Sequence, residues 1–141
     1  MSADSNEPSP GARPGATLPR PVPTPVTVPP PNAVLIVLTN VPDEETARNI
    51  AEVLLQERLA ACVNILAPCS SIYRWQGQIE TASEIPLLIK TAQDRYATLQ
   101  SRLDELHPYG VPEIVAWRPD AVLPQYFDWV IGETRVRRRP G

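Results

Sequence analysis

The chain contains a single histidine, and its surroundings make it the first candidate for chemistry. His107 opens the segment His-Pro-Tyr-Gly-Val-Pro-Glu, which ends at Glu113. An imidazole can bind a metal ion or carry a proton near neutral pH, and a carboxylate can join it in either role. The alternative is structural, with the imidazole lying at the C-terminal end of a helix and interacting with its dipole. Residue types alone leave both interpretations open.

The only lysine of the chain is the second candidate. Lys90 ends an apolar segment and is followed directly by Thr91. Its ammonium could bind an anionic ligand, or it could form a structural ion pair with Glu84 or Glu113. The position therefore indicates either a site for a small anion or nucleotide, or a pair that stabilises the fold.

Cysteine and aromatic residues add weaker candidates. Cys62 could offer a thiolate to a metal ion, although a buried cysteine more commonly packs as a small apolar side chain. Tyr73 and Trp75 could stack on a ligand, but packing at an interface is the preferred interpretation. Cys62 and Cys69 are seven positions apart on one predicted extended segment, so we expect no disulfide between them. Unpaired cysteines are typical of the reducing cytoplasm.

No strong catalytic signature accompanies these residues. Residues 33–135 contain only three glycines, too few for a glycine-rich phosphate loop, and the chain has no CxxC, HExxH or nucleophile-elbow motif. We therefore expect a binding protein without enzymatic activity. A small enzyme that uses His107 and Glu113 as an acid–base pair is the less favoured alternative.

These side chains must be positioned by a small domain of about residues 33–135. The apolar run Val34–Thr39 predicts a buried strand. A helix is expected to start at Pro42 and to end near Glu57 or Arg58, because apolar residues recur there at helical spacing. Two extended segments follow on either side of Pro68, and a turn at 76–78 leads into a strand that returns to Lys90.

The second half of the domain repeats this order. The segment Thr91–Asp94 resembles a helix capping box, and the helix after it must end at His107 because Pro108 follows. A strand at Glu113–Trp117 and a closing helix at Leu123–Glu133 complete the chain. The order β-α-β-β-α-β with an extra C-terminal helix predicts an α+β ferredoxin-like sandwich, in which two helices cover one face of an antiparallel sheet.

The predicted hairpin is too long for its own domain. Residues 61–75 could span ~50 Å when fully extended, whereas the first helix is only ~22 Å long. The hairpin must therefore bend back or overhang the sheet. Its tip region carries large apolar side chains at Ile72, Tyr73, Trp75 and Ile79. Such side chains need a surface to cover them, so we expect a homo-oligomer.

The two ends of the chain differ from the domain. Ten of the eighteen prolines precede residue 33, which predicts a disordered tail at residues 1–32. Residues 33–135 carry eight basic and fourteen acidic side chains, a net charge of −6, so nucleic acid is not an expected partner. Residues 136–141 form a basic end that we expect to be frayed. The first residues lack a cationic segment followed by an apolar one, so we expect no secretion signal. No run approaches the ~20 apolar residues that span a bilayer, so no membrane partner is expected, and a cytoplasmic location is predicted.

Four motifs follow one another along the chain: Leu59–Asn64, Ser71–Gly77, Glu84 with Leu88–Thr91, and His107–Glu113. Together and in this order they resemble the motifs of the CutA divalent-cation tolerance family, and the resemblance covers about residues 33–134. The resemblance implies a ferredoxin-like fold similar in architecture to PII signalling proteins, a tight homotrimer and no established catalysis. It also implies a role in the response to metal ions, with copper or another divalent cation as the possible ligand.

The resemblance also suggests which residues form sites between subunits. Some family members have cysteine where this chain has Thr39 and a second histidine where it has Leu106, and the loss of those ligands disfavours copper. The residues predicted to bind a metal are His107, Glu113 and Cys62. Those predicted to line a ligand cleft are Tyr73, Trp75, Glu84, Lys90, Thr91 and Tyr109. A PII-like trimer that senses a small anion or nucleotide in this cleft is the alternative.

Overall fold

A computed structural model describes residues 32–136 of the chain. The predictions of a disordered tail at 1–32 and of a frayed basic end at 136–141 fall on residues that lie outside this range, apart from Asn32 and Val136. The described part confirms the predicted order of elements. They are β1 (Val34–Val41), α1 (Glu44–Gln56), β2 (Cys62–Ile65), β3 (Cys69–Trp75), β4 (Gln78–Ala92), a short 3-10 turn (Gln93–Arg95), α2 (Tyr96–Leu106), β5 (Val115–Trp117) and α3 (Pro124–Glu133).

The strands form one antiparallel sheet in the order β2-β4-β1-β5, and β3 pairs with the first part of β4. The fifteen residues of β4 are therefore shared by three neighbours. Gln78–Glu84 pairs with β3, and Ile85–Ala92 pairs with β1. This is the ferredoxin-like arrangement that the sequence predicts.

Helix α1 shows how the local sequence selects the fold. The side chain of Asp43 accepts a hydrogen bond of 2.8 Å from the backbone N–H of Thr46, which caps the first turn. The apolar face then turns toward the sheet and buries Ala47, Ile50, Ala51 and Leu54. The predicted start at Pro42 is two residues early, because Asp43 is the cap and not part of the helix.

The core lies between the sheet and the helices α1 and α2. Alternate residues of β1 and β4 point into it, since successive side chains of a strand point to opposite faces. The largest fully buried side chains of this cluster are Val37, Val41, Leu87, Ile89, Ile50, Leu54, Leu99 and Leu103.

The other face of the sheet is more open. Ile36, Leu38 and Leu88 lie on it and are half-buried, while Val115 and Trp117 on the edge strand are exposed. Helix α3 covers the end of this sheet at Val34, where Val130 is fully buried. A monomer thus leaves a continuous apolar strip on the sheet, of the kind that marks an interaction surface.

The overhanging hairpin is confirmed. We call the paired segments 69–75 and 78–84 the ribbon. Its turn has Gln76 at φ 52° and Gly77 at φ 80°, the left-handed pair that a type I′ turn requires. Ile72 and Ile79 on the ribbon are 71% and 63% exposed, and Trp75 is 52% exposed.

Pro86 occupies an irregular position of β4, as its missing N–H predicts, but it is not on an edge. It pairs with Asn40 of β1 on one side. On the other side it lies at the break between β2 and β3, where the backbone N–H of Leu66 donates to its carbonyl oxygen. The neighbouring strand is interrupted where proline has no hydrogen to donate.

The capping box predicted at Thr91–Asp94 is wrong. Thr91 and Ala92 remain in β4, paired with Leu35 and Val34, and α2 begins at Tyr96 without a side-chain cap. The buried Thr91 hydroxyl instead donates to the carbonyl oxygen of Leu59 at 2.7 Å. Strand pairing across two residues outweighs a local cap.

Within residues 32–136, no helix combines the length and apolar composition required to cross a lipid bilayer. Both cysteines are free, as their predicted placement on one extended stretch requires.

Replacing Thr91 with valine is expected to destabilise the domain by about 1–3 kcal/mol, because the buried carbonyl of Leu59 loses its donor while the side-chain shape is kept. Urea unfolding at one fixed protein concentration measures this. Thr98→Val on the exposed side of α2 is the matched control and should change the free energy of unfolding far less. Equal effects of the two substitutions would contradict the role given to Thr91.

Candidate functional site

Polar side chains converge where β1 ends and where α2 ends. We call Thr39, Asn40, Glu84, His107, Tyr109 and Glu113 the histidine cluster. His107 caps the C-terminus of α2, its backbone N–H donating to the carbonyl of Leu103 at 2.9 Å. Because the chain must leave the helix before Pro108, the imidazole turns toward the end of β1.

Both ring nitrogens of His107 have partners. Nε2 lies 2.9 Å from the carbonyl oxygen of Asn40 and 3.1 Å from the hydroxyl oxygen of Thr39. Nδ1 lies 3.3 Å from the backbone nitrogen of Tyr109. A carbonyl can only accept and a backbone N–H can only donate, so Nε2 carries the proton and Nδ1 accepts. To bind a metal, this imidazole would have to release one of these partners.

The surroundings keep His107 neutral. The ring is almost fully buried, and this burial lowers its pKa below the ordinary value of 6.5. The hydrogen bond to Asn40 and the charges of Asp104 and Glu84 act in the opposite direction but are weaker. The imidazole at neutral pH is therefore an uncharged hydrogen-bonding group.

Two carboxylates flank the histidine. Glu84 is only 9% exposed, and its Oε2 accepts a hydrogen bond of 2.9 Å from the hydroxyl of Tyr109. Burial, followed by this hydrogen bond, raises the pKa of Tyr109 to about 12, so the phenol stays a donor. Glu113 Oε1 accepts from the side-chain amide of Asn40 at 3.0 Å. Asn40 thus contacts His107 through its backbone carbonyl and Glu113 through its side-chain amide.

These carboxylates lack a counter-charge in the described part of the chain. The ion pairs found among residues 32–136 involve other acidic residues, and neither Glu84 nor Glu113 has an arginine or lysine partner there. Glu84 is buried and its only hydrogen-bond donor is the neutral hydroxyl of Tyr109, so this carboxylate attracts a cation. Glu113 is exposed and adds a second negative charge beside it. The histidine cluster therefore has the charge and the oxygen atoms of a cation-binding surface.

A second group of polar residues lies at the other end of the sheet. We call Cys62, Asn64, Lys90 and Tyr126 the lysine cluster. Lys90 of β4 donates to the Oδ1 of Asn64, and its Nζ lies 3.6 Å from the Sγ of Cys62. The hydroxyl of Tyr126, from α3, lies 3.7 Å from the same sulfur. Burial, with a smaller effect of Cys62, raises the pKa of Tyr126 to about 12.

The structure separates residues that the sequence groups together. Cys62 pairs with Lys90, four positions along β4 from Pro86, which pairs with Asn40. Four residues of strand span ~13 Å, so Cys62 is not close to His107 and Glu113. In the range 32–136, no three His, Cys, Asp or Glu side chains lie close enough to hold a metal ion.

Within one chain, the residues predicted to line the cleft between subunits lie in separate places. Glu84 and Tyr109 lie in the histidine cluster, whereas Lys90 lies in the lysine cluster. Thr91 is fully buried against Leu59 and does not face a cleft. The exposed Tyr73 and Trp75 lie on one face of the ribbon, two residues apart.

Three residues of these clusters escape a reading of the sequence. Asn40 is a single amide at the end of a strand and belongs to no recognisable motif. Asn64 ends the motif Leu59–Asn64, but nothing in that motif indicates that its side chain accepts from Lys90. Tyr126 lies in an apolar helical pattern that predicts a core contact. Asn40 belongs to the site because the end of β1 lies beside the segment that follows α2. This contact is known only once the chain is folded.

Comparison with known proteins agrees with this architecture. The sequence pattern of the family described as CutA1 divalent ion tolerance protein matches residues 35–133. A Divalent-cation tolerance protein CutA from Thermus thermophilus is 50% identical over 95 residues, which are 67% of this chain and 92% of that protein. A protein of the same name from Pyrococcus horikoshii is 41% identical over 102 residues, which are 72% of this chain and 99% of that protein.

A solved structure of a CutA1 protein is also similar to this chain, although its sequence identity is lower. The crystal structure of the divalent ion tolerance protein CutA1 from Ehrlichia chaffeensis has a TM-score of 0.72 and 27% identity to this chain. The match covers 76% of this chain and 100% of that one. The family pattern over residues 35–133 and the 50% identity to a curated relative show that this chain belongs to the CutA divalent-cation tolerance family.

Proposed function

We propose that this protein is a non-enzymatic homotrimer that binds a divalent metal ion, with copper a possible ligand, at the histidine clusters between subunits. The observation that carries the proposal is the pair of carboxylates, Glu84 and Glu113, beside a neutral imidazole. Oxygen and imidazole ligands suit zinc, copper and other divalent cations. Membership of a family named for divalent-cation tolerance supports the same function.

One chain does not complete the site. Both nitrogens of His107 have partners, and no group of three ligands is close enough within residues 32–136. The proposal is that a second subunit supplies the remaining ligands. Symmetry then repeats the site once for each subunit.

The exposed apolar surfaces support the assembly. Ile72, Trp75 and Ile79 on the ribbon, and Trp117 on the edge strand, are large side chains in contact with solvent in one chain. A ribbon of two strands is marginal by itself in water, so a neighbouring subunit is expected to cover it. The number of three subunits is proposed on the basis of the family resemblance.

Lys90 favours a second candidate, a small anion or nucleotide. Its partners in the described range are the thiol of Cys62 and the amide of Asn64, and no carboxylate there neutralises it. Thermal unfolding of the full chain with adenosine triphosphate tests this reading: a raised midpoint that is lost in Lys90→Met supports it. Both candidates are proposed for a cytoplasmic protein, on the basis of its free cysteines.

The metal site is tested by isothermal titration of the full chain with Zn²⁺ and with Cu²⁺. Saturable binding is expected, and Glu84→Gln or Glu113→Gln should weaken it at least about tenfold, because each removes an anionic oxygen ligand or its support. Glu52→Gln on the exposed surface of α1 is the matched control and should leave the affinity unchanged. Equal affinity in all three variants would contradict the assignment.

The trimer is tested by native mass measurement of the full chain. The wild type is expected to have the mass of three chains. Ile79→Glu should dissociate it, since a charge on the ribbon cannot be buried without a partner. Leu55→Glu on α1 is a control at another exposed apolar side chain and should remain trimeric. A monomeric wild type would refute the assembly.

The lowered pKa of His107 makes the stability of the domain depend on pH. A folded-state pKa below 6.5 means that the unfolded chain binds the proton more readily. Stability from this group is therefore present above pH 6.5 and is lost as the pH falls through the folded-state pKa.

The folded-state pKa can be measured directly by NMR, because His107 is the only histidine of the chain. Its titration midpoint in the folded protein should lie below 6.5. His107→Gln keeps a donor and an acceptor but does not titrate, so its midpoint of thermal unfolding should decrease less than that of the wild type between pH 7 and 5. A ring that titrates at or above 6.5 would show that the environment of His107 is misassigned.

A further inference from the structure

The lysine cluster holds a nucleophilic amine and a thiol in an arrangement that the proposed metal site does not use. Cys62 and Lys90 are directly opposite each other on the antiparallel strands β2 and β4. Side chains at such positions point to the same face, with β-carbons ~4.5–5.5 Å apart. The backbone N–H of Ala61 donates to the carbonyl oxygen of Lys90 at 2.8 Å, which holds the two strands at this point.

The side chains themselves already approach each other. Nζ of Lys90 lies 3.6 Å from Sγ of Cys62, and the Asn64 amide oxygen accepts from the same ammonium. The hydroxyl oxygen of Tyr126 lies 3.7 Å from the same sulfur. Cys62 and Lys90 are both half-buried, so a molecule as small as hydrogen peroxide can reach the sulfur while bulk solvent competes less.

We propose that hydrogen peroxide converts this pair into a covalent sulfenamide crosslink between Cys62 and Lys90. In the first step the sulfur attacks one peroxide oxygen and the O–O bond breaks. The thiol is oxidised by two electrons to sulfenic acid, and the peroxide is reduced to water.

In the second step the amine of Lys90, after one ammonium proton passes to solvent, attacks the sulfur. The S–N bond forms and the S–O bond breaks. The departing hydroxide takes a proton from the nitrogen and leaves as water. The product has lost two hydrogen atoms relative to the starting pair, and a dithiol reductant returns it to thiol and amine.

The crosslink would change the molecule in two ways. It joins β2 to β4 covalently on the open face of the sheet. It also removes the charge of the chain's only lysine, so an anion held by Lys90 would be released. The modification does not depend on the proposed metal site.

The other cysteine is an internal control. Cys69 lies opposite Glu84 in the ribbon, and its sulfur lies 3.8 Å from the hydroxyl of Ser71. The chain has no second lysine to capture a sulfenic acid there. Oxidised Cys69 should therefore persist as sulfenic acid, and dimedone, which reacts with sulfenic acids, should label it.

The experiment treats the full chain with hydrogen peroxide and then digests the denatured, unreduced protein with trypsin. We expect residues 59–74 linked to residues 75–95, with the combined mass less two hydrogens and with no cleavage after Lys90. Before digestion, the modified chain should keep the mass of one chain under denaturing conditions. Dithiothreitol should abolish the linked species.

Lys90→Arg is the matched variant, because it keeps the charge but arginine remains protonated and does not attack sulfur. It should lose the crosslink, and dimedone labelling of Cys62 should rise from absent to the level on Cys69. Three results would overturn the proposal. They are dimedone labelling of Cys62 in the wild type equal to that in the variant, a loss of two hydrogens within residues 59–74 that indicates a disulfide, and no reaction of Cys62 with peroxide.

Discussion

The pairing of β4 with three other strands is the constraint on which the rest of the molecule depends. Its first half continues past the sheet as one side of the ribbon, and its second half lies at the centre of the sheet between β1 and β2. Glu84 lies at the boundary between these two halves, and Lys90 lies near the other end. The register of β4 with its neighbours thus determines which polar side chains are in contact and which are not.

This register explains why the chain contains two polar clusters. The histidine cluster is anionic and lies where the sheet gives way to the ribbon. The lysine cluster is cationic and lies under α3, and Tyr126 of that helix contacts its thiol. The two clusters are separated by about four residues of strand, or ~13 Å, so they need not bind the same ligand. A cation and a small anion can each be assigned to the cluster whose charge it complements.

Much of the fold follows from local patterns of the sequence. The apolar run at Val34–Thr39 identifies β1, and Pro108 identifies the end of α2. The length of the hairpin predicts the overhang, because the distance that an extended segment spans is independent of its contacts. Thr91 shows the limit of this reasoning: its spacing to Asp94 satisfies a capping pattern, but pairing with β1 keeps it in a strand.

The candidate site is less accessible from sequence than the fold. His107, Glu84 and Glu113 are recognisable by residue type, yet their grouping with Asn40 depends on a contact across 67 positions between His107 and Asn40. Cys62 is a reasonable metal ligand by type, but the register places it beside Lys90. Contacts between strands that are distant in sequence cannot be derived from composition or periodicity alone, because they require the register of the whole sheet.

We propose that a divalent cation binds at the histidine cluster and that a second subunit completes its coordination. Anomalous diffraction from crystals of the full chain grown with Zn²⁺ tests this directly. We expect a peak beside the carboxylates of Glu84 and Glu113, with at least one further ligand from a neighbouring chain of the trimer. A peak coordinated by a single chain, a peak at the lysine cluster, or no peak at either cluster would contradict it.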